Sequence, residues 1–239
     1  MGYNITCTQG IKRSTTLTGS AGPDTITITG TVDNDDGRAS VVQGTVDGGG
    51  GSDTISITAT GHTIVDGTED PIGVGGVGND GKVIAHGTST ITITAATPDV
   101  SGSGGTGNAG TVTGDADTRI SITGGNASGV HYAGPGDSYN QGGIGNTDVV
   151  TGGTVRITGG NGTDTPAVTY YRGLEGGPAN TTPGTVTAAN VTLIGGNGSN
   201  GRSEPGNAQR GNGGAASAST GTGYKDVYGV SLDGAWSPL

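Results

Sequence analysis

The sequence predicts an all-β protein, an elongated β-solenoid in which short parallel strands stack in rows and long Gly-rich loops leave the stack. Three observations predict it. Apolar residues are sparse, a strand phrase alternating them with hydroxyl residues recurs along the chain, and glycine fills the stretches between phrases.

Composition sets the first bound. Of 239 residues, 54 are Gly and 9 are Pro, 29% are hydrophobic, and Phe is absent. No broad core of Leu, Phe and Met can be assembled from this chain. Such a composition leaves two outcomes, disorder or a thin repeating seam of small β-branched residues. The recurrence of the apolar residues in register argues for the seam.

The phrase appears as Asp24-Thr25-Ile26-Thr27-Ile28-Thr29 and Asp53-Thr54-Ile55-Ser56-Ile57-Thr58. It returns as Thr90-Ile91-Thr92-Ile93-Thr94, Arg119-Ile120-Ser121-Ile122-Thr123, Thr154-Val155-Arg156-Ile157-Thr158 and Asn190-Val191-Thr192-Leu193. Its first apolar residues stand at 26, 55, 91, 120, 155 and 191, giving intervals of 29, 36, 29, 35 and 36. Periods of this size point to stacked repeats. Strict alternation marks each phrase as a strand with one buried face, the Ile and Val inward and the Thr and Ser outward.

A second, weaker strand precedes most phrases, as in Ser40-Val41-Val42, Lys82-Val83-Ile84-Ala85, Gly110-Thr111-Val112-Thr113, Asp148-Val149-Val150 and Gly184-Thr185-Val186-Thr187. A unit then reads strand, tight turn, strand and Gly-rich excursion. The alternative architecture is an antiparallel sandwich or barrel in which these strand pairs are hairpins. The connections Gly44-Thr45, Gly87-Thr88, Gly114-Asp115 and Gly152-Gly153 suit either. Residues 1–223 are expected to form the repetitive stack, about six to seven units, and residues 224–239 a C-terminal cap or docking tail. Close backbone approach between Gly segments would let the excursions pack.

The phrases Ile122-Thr123-Gly124-Gly125-Asn126, Ile157-Thr158-Gly159-Gly160-Asn161-Gly162 and Ile194-Gly195-Gly196-Asn197-Gly198 resemble repeats of parallel β-helix surface proteins, such as bacterial adhesins and phage fibre and spike proteins. The resemblance implies a binding or scaffolding role and no catalytic residues. It places the chain first in a virion, as a fibre or capsid-decorating subunit that self-assembles with copies of itself or with other virion structural proteins. The alternative is an extracellular filament or cell-surface adhesin subunit, with ice or glycan as a lesser ligand.

Charge and motifs narrow the function classes. The formal charge is −10, from 20 acidic and 10 basic residues, which argues against binding a nucleic-acid backbone. No apolar run suits a membrane span, and Met1 to Ser14 contains no apolar stretch of the signal-peptide kind. Cys7 is the single cysteine, so no intrachain disulfide forms. The three histidines, His62, His86 and His131, lie in different units, and neither hydrolase nor P-loop motifs occur, so no enzyme is expected.

Three groups of candidate residues remain. The outward residues Thr25, Thr27, Thr29, Thr54, Ser56, Thr58, Thr90, Thr92 and Thr94 would form a flat hydroxyl grid for assembly or ligand binding. Its T-x-T pattern resembles the ice-binding face of some β-solenoid antifreeze proteins. Gly48 to Ser56 resembles the calcium-binding nonapeptide of β-rolls, which would make Asp24 and Asp53 Ca²⁺ ligands. As turn formers bonding local N–H groups they need no metal, and on that account no cofactor is expected. In the tail, Tyr224, Tyr228, Trp236 and Leu239 would cap the stack or dock a partner.

Overall fold

The computed structural model describes residues 1–31, 40–64, 72–98, 102–128, 141–162, 176–198 and 224–227. Its strands, in chain order, are β1 (Asn4–Cys7), β2 (Thr16–Thr18), β3 (Thr25–Thr31), β4 (Ser40–Val42), β5 (Thr45–Asp47), β6 (Thr54–Thr60), β7 (His62–Ile64) and β8 (Ile72–Val74). They continue as β9 (Val77–Asn79), β10 (Lys82–Ala85), β11 (Thr90–Thr94), β12 (Thr111–Gly114), β13 (Arg119–Thr123), β14 (Val149–Thr158), β15 (Thr185–Ile194) and β16 (Tyr224–Val227).

The recurring phrase pairs with itself. Ile26 lies beside Ile55, Ile55 beside Ile91, Ile91 beside Ile120, Ile120 beside Val155, and Val155 beside Val191, every pair parallel. Alternation then decides burial. Ile26, Ile28, Ile55, Ile57, Ile91, Ile93, Ile122 and Ile157 are wholly inaccessible, while their Thr and Ser neighbours are exposed or half-buried. The weaker strands form a second row, with Leu17 beside Val46, Val46 beside Val83, Val83 beside Val112, and Val112 beside Val150. Both rows send their apolar side chains into one core cluster. Each fully buried Val, Ile or Leu contributes roughly 1.5–3 kcal/mol relative to exposure.

The form of the whole differs from the expected elongated solenoid of separate units. The two rows belong to one sheet, ordered β1-β3-β6-β11-β13-β14-β12-β10-β5-β2, so the chain of neighbours runs out along one row and back along the other. The sheet curls on itself into a compact half-barrel. The cause lies in β14 and β15. In each, two strands expected to be split by a turn are a single ten-residue strand that spans both rows. Gly152-Gly153, a turn candidate by composition, lies within β14, because glycine accepts extended backbone as readily as a turn.

The antiparallel sandwich is also overturned, since every pair in the large sheet is parallel and β7 with β8 is the one antiparallel strand pair among the described residues. With the elongated stack fall the likeness to β-helix fibre proteins and the role as a virion fibre or decorating subunit. A compact curled sheet with long-range internal packing is not a fibrous repeat.

Glycine closes one side of the half-barrel without any strand. A zigzag of backbone hydrogen bonds runs from Gly76 O through Ala96, Gly105, Gly125, Gly143, Gly160 and Gly177 to Gly196 N, each N–H donating to the carbonyl of the preceding member at 2.6–3.2 Å. Two sets of loop backbone thereby interleave at a separation that excludes side chains. A Cβ on Gly125 would stand 1.8 Å from Ala96 O, and one on Gly143 would stand 1.9 Å from Gly105 O.

Candidate ligand-binding face

The first row turns its hydroxyl side outward. Register places Thr25, Thr54 and Thr90 in one column, Thr27, Ser56 and Thr92 in the next, and Thr29, Thr58 and Thr94 in the third. All nine are exposed or half-buried. Neighbouring parallel strands lie about 4.8 Å apart and alternate residues about 6.7 Å apart, so the predicted residues form a regular grid. Thr fits here for two reasons: its branched side chain suits extended backbone, and its methyl and hydroxyl present an apolar and a polar contact side by side.

The columns continue beyond the grid. Thr90 lies beside Arg119 and Arg119 beside Thr154, while Thr92 lies beside Ser121 and Ser121 beside Arg156. Arg119 and Arg156 are exposed. Between β1 and β15 the outward positions of this row hold hydroxyl, Asn, Arg and Ile194 side chains and no carboxylate. The described acids stand elsewhere: Asp24 and Asp53 at corners, Asp47 and Asp80 and Asp148 along the second row, Asp115 and Asp117 in the turn before β13, and Asp226 in β16 at the register position of the inward Leu193.

Asp24 and Asp53 are stacked by that same register, and both are 2% exposed. Asp24 fills the corner between the rows, its carboxylate accepting the N–H of Tyr3 at 2.5 Å, the Ser20 hydroxyl at 2.9 Å and the Ser20 N–H. These donors, the Ser20 N–H foremost, hold its carboxyl below the ordinary range. Asp53 Oδ1 accepts the Asp24 N–H at 2.9 Å, but Oδ2 is buried without a partner. At Asp24 the Ser20 N–H meets the second oxygen. The equivalent donor for Asp53, Gly49 N–H, instead bonds Asp47 Oδ1 at 2.9 Å. Burial accordingly pushes the Asp53 carboxyl up. Ser89 and Thr118 continue this column, Ser89 Oγ accepting the Asp53 N–H at 2.7 Å. Among the described residues no group of three or more His, Cys, Asp or Glu could hold a metal ion.

A polar column that the sequence analysis missed runs through the opposite corner. Asn79, Asn108, Asn146 and Asn180 are buried, and each Nδ2 donates to the next Oδ1 at 2.7 Å. Asn108 Nδ2 also bonds Gly110 O, and Asn146 Nδ2 bonds Asp148 O. The signal was present as Gly78-Asn79, Gly107-Asn108 and Gly145-Asn146 shortly before a second-row strand. A further column at the surface uses the Asn of the Gly-Gly-Asn phrases, with Asn161 N–H donating to Asn126 Oδ1 and Asn197 N–H to Asn161 Oδ1, both at 2.8 Å.

The tail is the least described region. Tyr224 begins β16, which pairs with β15 in parallel, while Tyr228, Trp236 and Leu239 lie outside the described residues. Among the described residues no helix is long and apolar enough to cross a membrane. Comparison with family models, curated proteins and solved structures finds no match for this chain.

Proposed function

We propose that the chain is a non-enzymatic adhesive domain, working outside the cell or at its surface, that binds a polymeric hydroxyl-bearing ligand through the first-row face. One observation supports it above the others: the nine predicted hydroxyl residues fall into three in-register columns on a single exposed sheet face. Such a face matches a ligand that repeats in two directions, because every hydroxyl both donates and accepts. Glycan fits this better than nucleic acid, whose recognition draws on Lys, Arg and stacked aromatic residues.

Ser56 stands at the centre of the grid, so Ser56→Tyr tests the reading directly. The added ring breaks the flat array, and tyrosine suits the outward side of a strand. Binding to a polysaccharide panel should drop for Ser56→Tyr with the thermal melt unchanged. Thermal hysteresis of the same two proteins measures the ice alternative. A variant that binds every polymer as the parent does would remove the face from consideration.

Self-association is a second element of the proposal. The outer edges of β1 and β2 end the path of strands, and Ile5, Cys7 and Leu17 pack only partly against the core there. A sheet edge with apolar residues beside it is a template for another chain, and a second copy is the partner we favour.

A further inference from the structure

We propose that the ligand of the hydroxyl face is an acidic polysaccharide, whose anionic groups meet Arg119 and Arg156 while its sugar hydroxyls meet the surrounding threonines. The inference rests on the adhesive reading above and names the ligand class for that face.

Charge distribution is the first argument. The protein has a net charge of −10, so most of its surface repels a polyanion. Among the described residues, the first-row face between β1 and β15 carries two exposed guanidinium groups and no carboxylate. Arg119 and Arg156 form no ion pair with any described residue. Leaving two cations unpaired on an acidic protein suits a partner that brings the opposite charge.

Geometry is the second argument. Arg119 pairs with Thr154, and Arg156 pairs with Ser121, two positions further along the adjoining strands. The two arginines are therefore diagonal neighbours, about 8 Å apart at the backbone given strand spacings of about 4.8 Å and alternate-residue spacings of about 6.7 Å. Each guanidinium presents a planar fork of donors that pairs bidentately with carboxylate or sulfate. Thr90, Thr92, Thr123, Thr154, Thr158 and Thr192 surround the pair on the same face. Charged forks set in a field of donor-acceptor hydroxyls match a chain of sugars bearing acid groups. The face has no aromatic side chain between β1 and β15 on which a nucleobase could stack.

The test is affinity chromatography of the full chain on immobilised polygalacturonate, heparin and dextran, with competition by a DNA oligonucleotide. Retention is expected on polygalacturonate or heparin at low salt, release as salt rises, and passage through dextran. Arg119→Ala with Arg156→Ala should weaken binding about tenfold or more, a loss of ~1.4 kcal/mol or above. Lys12 and Arg13 are exposed in the loop between β1 and β2, off the face, so Lys12→Ala with Arg13→Ala removes the same charge and should leave binding intact. Which acidic resin retains the protein separates carboxylated from sulfated chains, and either result supports the proposal.

Retention on dextran, unaffected by the arginine changes yet lost in Ser56→Tyr, would overturn the acidic ligand and leave the adhesive face standing. A DNA oligonucleotide that competes as well as the polysaccharides would replace the proposal with general polyanion contact. Failure to bind any polymer would overturn both readings together.

Discussion

Asp24 and Asp53 begin the same strand phrase, and one missing donor separates their behaviour. Asp24 has hydrogen-bond partners on both carboxylate oxygens, so its folded pKa lies below the unfolded value. The stability it contributes is present above the unfolded pKa and is lost as pH falls through the folded one. Asp53 is the reverse case. Its folded pKa is raised, so its contribution is full below the unfolded value near 3.8 and is lost as pH rises through the folded value. Asp53→Asn keeps the Oδ1 acceptor for Asp24 N–H and removes the buried charge. Thermal melts should show this variant more stable than the parent at neutral pH and equal to it near pH 3. Asp24→Asn should instead lose stability at neutral pH, because an amide NH2 replaces one of the two oxygens that accept from Tyr3 and Ser20. Both aspartates are plain in the sequence as the openers of the phrase. Their opposite shifts were not, because they depend on where Gly49 N–H points, and that is decided by Asp47 two residues before it.

At the scale of elements, the strands of the first row were legible because period-two alternation reports burial directly. Every inward Ile, Val or Leu from Ile26 to Leu193 in the recurring phrases is buried. The fusion within β14 was hidden, since Gly-Gly has no side chain to declare whether the backbone turns or runs on. The Asn column was hidden for another reason. Asn79, Asn108, Asn146 and Asn180 sit in short stretches whose glycine content resembles loop sequence, and their spacings of 29, 38 and 34 follow the lengths of the excursions. The column should be energetically coupled. Asn108→Ala strands the Asn79 amide, an Asn146 lone pair and the Gly110 groups together, at about 3 kcal/mol or more given ~1–3 kcal/mol for each buried orphan. A double-mutant cycle with Asn146→Ala should show strong non-additivity in urea melts, since the second change removes a group already orphaned.

At the scale of the molecule, two rows of narrow strands share one apolar core and the wide hydroxyl face is carried outside it. On the proposed reading, the regular spacing of the paired first-row strands suits an extended ligand better than a small one. Self-association should appear as a sedimentation coefficient that rises with protein concentration, and Thr6→Pro, which removes an outward-facing N–H from the free edge of β1, should suppress it. What escaped the sequence analysis at this scale was closure. Recurrence predicts that units pair, but the return of the sheet along its second row depends on two long strands that look like four short ones.

The glycine zigzag from Gly76 to Gly196 has a consequence for how this chain can vary over generations. It is cohesion built from peptide groups alone, so it exposes nothing to oxidation and asks nothing of any side chain's shape. The same feature makes its glycines from Gly105 to Gly196 intolerant of a single added carbon: Gly143→Ala would meet the Gly105 carbonyl and should cost about 3 kcal/mol or more. Its amides, although outside any strand, should exchange with deuterium as slowly as those of the Ile-bearing strands. Substitutions should therefore be tolerated best on the outward faces, where a new binding preference can arise without disturbing the packed backbone beneath.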